Sequence, residues 1–328
     1  MSKSAPLPKI VVVGGGTGTS LVLRGLKKYP VSLGAVISTS DSGGSSGVLR
    51  DEFDMVPPGD VRQCFVALNE DKNRFLDFFH RRFTKGGLKG HAFGNTFFAL
   101  LSQEDNDFCN VVKKAEQVVS AEHRIFPVTH TKTDLVAVLN NGETIRGQFD
   151  IVQINTLHKI LKTLSVSPST VAVNQEAKDA IQEADMIVLG PGNLVASLSP
   201  PLLVEGILDA VRASSAKKVF ITNLFNQGTT QGFGVDDYLR YLATHVGPVF
   251  FDVVLYNTEQ FSPERLQRWG LEDAVVGMDT QRESLRYIGA SLVDATDFAE
   301  VPGDPVVRTP IRHDKDTVAK ILYELVTK

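Results

Sequence analysis

The chain has 328 residues, 42% of them hydrophobic, with a formal charge of −4 and an isoelectric point near 6.0. That composition supports a substantial core, and the acidic balance gives no field to draw in nucleic acid or an acidic membrane surface. The two cysteines, Cys64 and Cys109, make no disulfide framework and lack a zinc-binding spacing, and no window is long and apolar enough to span a bilayer.

The start, Met1 to Pro6, lacks the apolar core of a signal peptide, so a cytoplasmic protein is expected, with its first nine residues disordered. Ile10-Val11-Val12-Val13 reads as a buried strand ending in the glycine turn Gly14-Gly15-Gly16-Thr17-Gly18-Thr19. Leu21, Leu23, Leu26 and Tyr29 then fall on one helical face. A second β-branched run, Val36-Ile37-Ser38-Thr39, ends in Ser40-Asp41-Ser42-Gly43-Gly44-Ser45-Ser46-Gly47. After Pro57-Pro58-Gly59-Asp60, a helix carrying Phe65 and Leu68 is expected with Asp60 as its N-cap. Another helix is expected over residues 95–101. Residues 125–154 break the alternation: Leu135 to Leu139, Asn140-Asn141-Gly142 and Thr144-Ile145-Arg146 read as a hairpin, for which Asn-Gly is a strong signal. Strands return at 186–189, 218–222 and 249–256 with helices between them. The pattern predicts one α/β domain over residues 10–328, a Rossmann-like doubly wound, mostly parallel sheet with an antiparallel hairpin insertion at about 125–154.

Two glycine turns ending consecutive strands place free backbone N–H groups on one sheet edge, which suits an anionic, phosphorylated ligand. In the first, Gly15, Gly16, Thr17, Gly18 and Thr19 supply amides and hydroxyls, but Thr19 stands where a dinucleotide fingerprint has its third glycine. In the second, Asp41 occupies the position of a ribose-binding carboxylate, while Gly43, Gly44, Ser45 and Ser46 form an additional anion nest. The competing reading of Asp41 is a solvated turn-former. Arg50 and Arg62 are candidates for phosphate contacts, Arg62 aimed by the rigid Pro-Pro-Gly-Asp turn, against the alternative of surface ion pairs. His91 and Asn95 lie at a loop–helix junction. A lone histidine there is more often structural than a general base. A third turn, Gly190-Pro191-Gly192-Asn193, and Asn223 at a later strand end complete a crevice lining. Asn223 suits a base or sugar edge, or a turn cap.

In order, the stretch 39–50, Pro57-Pro58-Gly59-Asp60-x-Arg62, His91-x-x-Gly94-Asn95, Gly190-Pro191-Gly192 and Arg312-His313-Asp314 resembles the YvcK-like gluconeogenesis factors. These stand within the CofD-like 2-phospho-L-lactate transferases, and the resemblance spans residues 10–314. It implies a Rossmann-like core with its ligand at the strand ends, and two functional branches. One transfers a phospholactyl group from a guanylylated donor with a divalent metal held by acidic residues. On that branch Asp41 and Asp60 are the candidate ligands here and Mg²⁺ is the candidate cofactor. The other binds UDP-sugars and influences cell-wall synthesis and cell shape, without established catalysis. The run Gly43 to Gly47 and the Pro-Pro-Gly-Asp turn look like this second branch. Ser42 stands where the family pattern usually has a second aspartate, and one carboxylate makes a poorer Mg²⁺ site than two. The resemblance also implies that Arg312 closes over a pyrophosphate, against a helix-start ion pair, and that Trp269 stacks on a base, against burial in the core.

The sequence is therefore read as a nucleotide-sugar-binding regulator, whose expected partner is a nucleotide sugar or another phosphorylated nucleotide. The alternative is a metal-dependent transferase. An NAD-dependent oxidoreductase is disfavoured by the missing third glycine and the lack of a proton-relay pair. Neither nucleic acid nor membrane is an expected partner, and assembly into a homo-oligomer is left open.

Overall fold

In a computed structural model of the chain, the described residues are 6–69, 74–155, 157–226, 228–271, 275–278, 281–297 and 310–328. Ten strands are present among them: β1 (Lys9–Gly14), β2 (Ser32–Ile37), β3 (Arg124–Pro127), β4 (Asp134–Leu139), β5 (Thr144–Arg146), β6 (Leu161–Ser167), β7 (Met186–Leu189), β8 (Lys217–Ile221), β9 (Val253–Asn257) and β10 (Arg286–Ala290). Seven form a parallel sheet in the order β10-β9-β8-β7-β1-β2-β3, and β5-β4-β6 form a separate antiparallel sheet.

The apolar runs work because side chains alternate across a sheet. Ile10 and Val12 of β1 face one core with Leu33, Ala35 and Ile37 of β2 and Met186 and Val188 of β7. Val11 and Val13 face a second core with Val36, Ile187 and Leu189. Strands buried on both faces need covers on both faces. The first core is covered by α1 (Gly16–Leu26), α3 (Gly59–Asn69), α5 (Phe108–Val119) and the C-terminal helix Lys315–Thr327. Between them in sequence lie α2 (Gly44–Glu52) and α4 (Phe93–Ser102). The second core is covered by the antiparallel sheet and by helices Gln175–Gln182 and Ile207–Ala213. The fold is thus the expected α/β class. Among the described residues no single helix is long and apolar enough to cross a membrane.

The chain runs outward from β1 to β2 and β3, then returns to β7 on the other side of β1. At such a reversal the loops leaving neighbouring strand ends part in opposite directions and open a crevice. Its walls are the turns after β1, β2 and β7.

Several boundaries differ from the sequence expectation. β1 opens at Lys9, inside the stretch expected to be disordered, because Lys9 N donates to Asp185 and Ser32 N donates to Pro8 O at 2.9 Å. Residues 1–5 lie outside the described residues. The insertion begins after β3, which joins β2 in the parallel sheet, and it runs to Ser167 through β6. β6 escaped notice because its pattern, Leu-Lys-Thr-Leu-Ser-Val-Ser, buries only one side. Finally, α3 starts at Gly59, with Arg62 N donating to Pro58 O at 2.8 Å, so Asp60 belongs to the first turn and is not the N-cap.

Helix α1, which carries the first glycine turn, is seated against the C-terminal helix at Gly25, where a Cβ would meet Lys315 O at 2.2 Å. Gly25→Ala adds helix propensity of up to about 1 kcal/mol, but a contact with rigid backbone costs roughly 1–3 kcal/mol. The clash wins, and the urea midpoint is expected to fall with the m-value unchanged. A midpoint that stays or rises would mean the two helices are not so closely seated.

Candidate functional site

A cavity of about 370 Å³ lies at the reversal, lined by the three glycine turns, α3, Asn223 and the 311–313 segment. Of the residues expected from sequence, it brings together Gly15, Gly16, Thr17, Gly18, Asp41, Gly43, Gly44, Ser45, Ser46, Asp60, Arg62, Asn95, Gly192, Asn193, Asn223 and Arg312. Three fall outside the lining. Thr19 is fully buried beneath the first turn, its hydroxyl donating to Gly15 O at 3.4 Å. Gly190 is wedged at φ +87° where a Cβ would meet Ile221 O at 2.5 Å. His91 sits behind the crevice wall, in the stretch bridged by Arg82 and Ala92, and its carbonyl accepts from Phe83 N at 3.0 Å.

The local backbone explains the wall. α1 opens at Gly15 and Gly16, and α2 at Gly43 and Gly44; neither helix has a side-chain cap. α4 also lacks one at Ala92. Some other helix starts are capped: Asp107 accepts from Cys109 N, Asn174 from Glu176 N, Ser262 from Arg265 N and Asp314 from Thr317 N, while those at Gly206 and Gly234 have no side-chain cap. Helix starts leave several N–H groups without intrahelical partners and carry a partial positive charge. The starts of α1 and α2 line one cavity, whereas the first amides of α4 donate to Arg81 O and Phe79 O. Gly18 allows the closest approach, since a Cβ on it would stand 1.9 Å from Pro191 O.

One continuous hydrogen-bond network fixes the arginines. Arg62, 6% exposed, donates through Nε to Asn95 Oδ1 at 2.7 Å and through a terminal nitrogen to His80 Nδ1 at 3.0 Å. Asn95 Nδ2 donates to Ser45 Oγ at 3.1 Å, and Arg82 donates to the same hydroxyl at 3.3 Å and to Gly90 O at 2.8 Å. Burial, then the charge of Arg62, lowers His80 to a pKa of about 4, so it accepts the guanidinium proton as a neutral ring.

The two acids flank Gly59. A Cβ on Gly59 would stand 3.2 Å from Asp41 Oδ2, and one on Gly15 would stand 2.3 Å from Asp60 Oδ2. Asp41 Oδ1 accepts from Gly43 N at 3.0 Å. Mg²⁺ is commonly held by one or two carboxylates together with a ligand's phosphates, and this donor set fits that mode.

Other residues are committed to structure. Asn223 Oδ1 accepts from Gly192 N at 3.0 Å, tying β8 to the third turn, and Asn193 caps the Leu194–Leu198 turn through Val195 N and Ala196 N. Arg50 is turned away from the lining into an ion pair with Asp134. Trp269 lies off the lining, half-buried against the first core, and donates to Asp297 Oδ2 at 2.9 Å. The Arg312-His313-Asp314 motif divides by task. Arg312 lines the cavity, and Asp314 caps the C-terminal helix. His313 donates from Nε2 to Thr222 O at 2.9 Å, and burial lowers it to about 4.

Sequence reasoning missed Gln63, Arg82, Gln148 and Phe225 in the lining. Gln63 lies one turn along α3 from Asp60 and accepts from Thr17 Oγ1 at 3.1 Å. An i, i+3 reading from Asp60 finds it. Away from the cavity, Asp107, Cys109 and His130 bring ligand-type atoms within 4.8 Å of one another. Asp107 is spent there on the α5 cap and on His130 Nδ1, and burial pushes the Cys109 thiol up to about 12.

This architecture is that of a doubly wound, Rossmann-like α/β protein with a polar crevice at its topological switch point. A family profile described as "2-phospho-L-lactate transferase CofD" matches residues 10–296, and the chain belongs to that family. It is 35% identical over 324 residues to the gluconeogenesis factor of Bacillus subtilis, covering 97% of this chain and 98% of that one. It is 34% identical over 328 residues to the gluconeogenesis factor of Listeria innocua, covering 99% and 98%. A crystal structure of a UPF0052 family member from Bacillus halodurans superposes with a TM-score of 0.85 at 31% identity, covering 99% of this chain and 100% of that one. The sequence resemblance is thereby borne out at the level of family.

His313 gives a pH dependence with a defined sign. Its ordinary value is 6.5 and its folded value about 4, so between those limits the unfolded chain binds the proton and the native chain does not. Stability is full above pH 6.5 and is lost as pH falls towards 4, by about 2 kcal/mol at pH 5. His80 adds to the same trend. His313→Gln, which keeps a donor for Thr222 O, is expected to lose correspondingly less between pH 7 and pH 5 in urea titrations. Identical slopes for variant and wild type would show that His313 is not buried as a neutral ring.

Proposed function

We propose that the chain is a cytoplasmic regulatory protein of the gluconeogenesis-factor type that binds a nucleotide sugar, a UDP-sugar, through its diphosphate. The carrying observation is that α1 and α2 both open without a side-chain cap on glycine turns that line one cavity. Uncapped N–H groups converging with helix dipoles suit phosphate oxygens. Arg62, Arg82 and Arg312 add fixed cationic charge in the same lining, and arginine suits phosphate through its planar fork of donors. Asp41, at the mouth of the second turn, would accept from a ligand hydroxyl. A protein that reads nucleotide-sugar supply is suited to influence cell-wall synthesis and cell shape.

Binding without strong turnover is supported by the chemistry of the lining. Its one histidine, His313, is neutral and already donates to a carbonyl, so it does not serve as a general base. A second reading is favoured by one observation, the pairing of Asp41 and Asp60 around Gly59. In a metal-dependent transferase acting on a guanylylated donor, these two would hold Mg²⁺ against the donor's phosphates. The ion would supply charge neutralisation there.

A thermal-shift panel with UDP-N-acetylglucosamine, UDP-glucose, GDP, GTP and NAD, each with and without Mg²⁺, separates the readings. A ligand specific to the folded state stabilises by about 2.7 kcal/mol at a hundredfold excess over Kd. A shift confined to UDP-sugars and indifferent to Mg²⁺ is expected. A shift that requires both guanine nucleotide and Mg²⁺ would transfer the assignment to the transferase.

A further inference from the structure

The antiparallel insertion supplies one wall of the cavity through a short helix, α6 (Gln148–Val152). Gly147, at φ +102°, turns the chain out of β5 and opens α6 with no side chain to cap it. The cap comes instead from the second glycine turn: Phe149 N donates to Ser42 Oγ at 2.9 Å. In return, Ser42 N donates to Gln148 Oε1 at 3.4 Å. The ion pair of Arg50 on α2 with Asp134 on β4 fastens the same two units together, and Arg146 on β5 joins Asp134 at 3.2 Å from within the insertion.

These bonds hold an apolar ring in an exposed place. Phe149 is 51% exposed, although it stands beside polar backbone. Its ring lies over the second turn, where a Cβ on Gly43 would stand 3.5 Å from Phe149 Cδ2. Gly43 and Gln148 both line the cavity. An aromatic face is therefore presented at the rim of a crevice whose lining holds the glycine turns and three arginines, with an amide next to it. Such a face recognises a flat ring by stacking, and every nucleobase offers one.

We infer that Phe149 is the stacking platform for the base of a nucleoside diphosphate whose phosphates lie on the glycine turns. Gln148 borders the base edge, and Ser42 is the positioning residue that holds both. The inference rests on the nucleotide reading above and adds to it the residue that recognises the base.

The test uses the full chain with UDP-glucose, UDP and inorganic pyrophosphate as probes, in calorimetric titrations of wild type, Phe149→Ala and Phe149→Trp. Phe149→Ala is expected to weaken UDP and UDP-glucose by roughly 5- to 150-fold, the range of one aromatic–base stack, and to leave pyrophosphate unchanged. Phe149→Trp is expected to retain affinity, and its added indole, beside the native Trp269, should be quenched by UDP and not by pyrophosphate. Equal weakening of UDP and pyrophosphate would assign Phe149 a structural part in the wall and overturn the inference. Unchanged UDP affinity in Phe149→Ala would overturn it while leaving the nucleotide reading intact. A wild type that binds pyrophosphate but not UDP, or none of the three probes, would overturn both.

Discussion

The site depends on a close backbone approach between the first turn of α1 and the third glycine turn. Gly18 sits so near Pro191 O that any side chain would have to push the strand ends apart. Asn223 holds the same turn from β8 through Gly192 N, so three strand ends are locked by one glycine contact and one amide. Along its length α1 is pinned again, by Thr17 to Gln63 of α3 and by Gly25 to the C-terminal helix. The cavity wall is therefore set by the packing of a whole helix and not by loop conformation.

Such a wall has an energetic cost. A side-chain N-cap contributes typically about 1 kcal/mol, and α1, α2 and α4 each forgo one. An anion on the α1 and α2 turns would gain both hydrogen bonds and dipole attraction. The buried guanidinium of Arg62 is managed differently. Asn95 and a neutral His80 accept from its donors without themselves adding negative charge. A carboxylate at either place would have stabilised Arg62 more and left less positive potential in the crevice.

The parallel sheet was legible because its strands are buried on both faces and so read as uninterrupted β-branched runs. Met186–Leu189 is recovered residue for residue. The glycine turns were legible because glycine at strand ends is a local signal, and all three reach one cavity. What escaped was non-local. β6 is half-polar, and nothing near it in sequence announces that it pairs with β4. Arg82 and Gln148 come to the cavity through a loop and an insertion whose seating only tertiary contacts decide. The motif at 312–314 was recognised as a unit, yet its three residues divide between lining, carbonyl bonding and capping. Asn223 was read as a base or sugar contact or a turn cap; it lines the cavity while its Oδ1 accepts from the neighbouring glycine turn.

Ser42 carries the clearest contrast between what a sequence pattern suggests and what the folded chain does with it. The family resemblance expects a second carboxylate beside Asp41, where it would add charge for a hard cation. A hydroxyl cannot supply that charge, but it accepts well from the open end of a helix. Here it accepts from Phe149 N and draws α6 onto the second glycine turn. One substitution thus exchanges an electrostatic feature for a geometric one, bringing the insertion to the rim of the crevice.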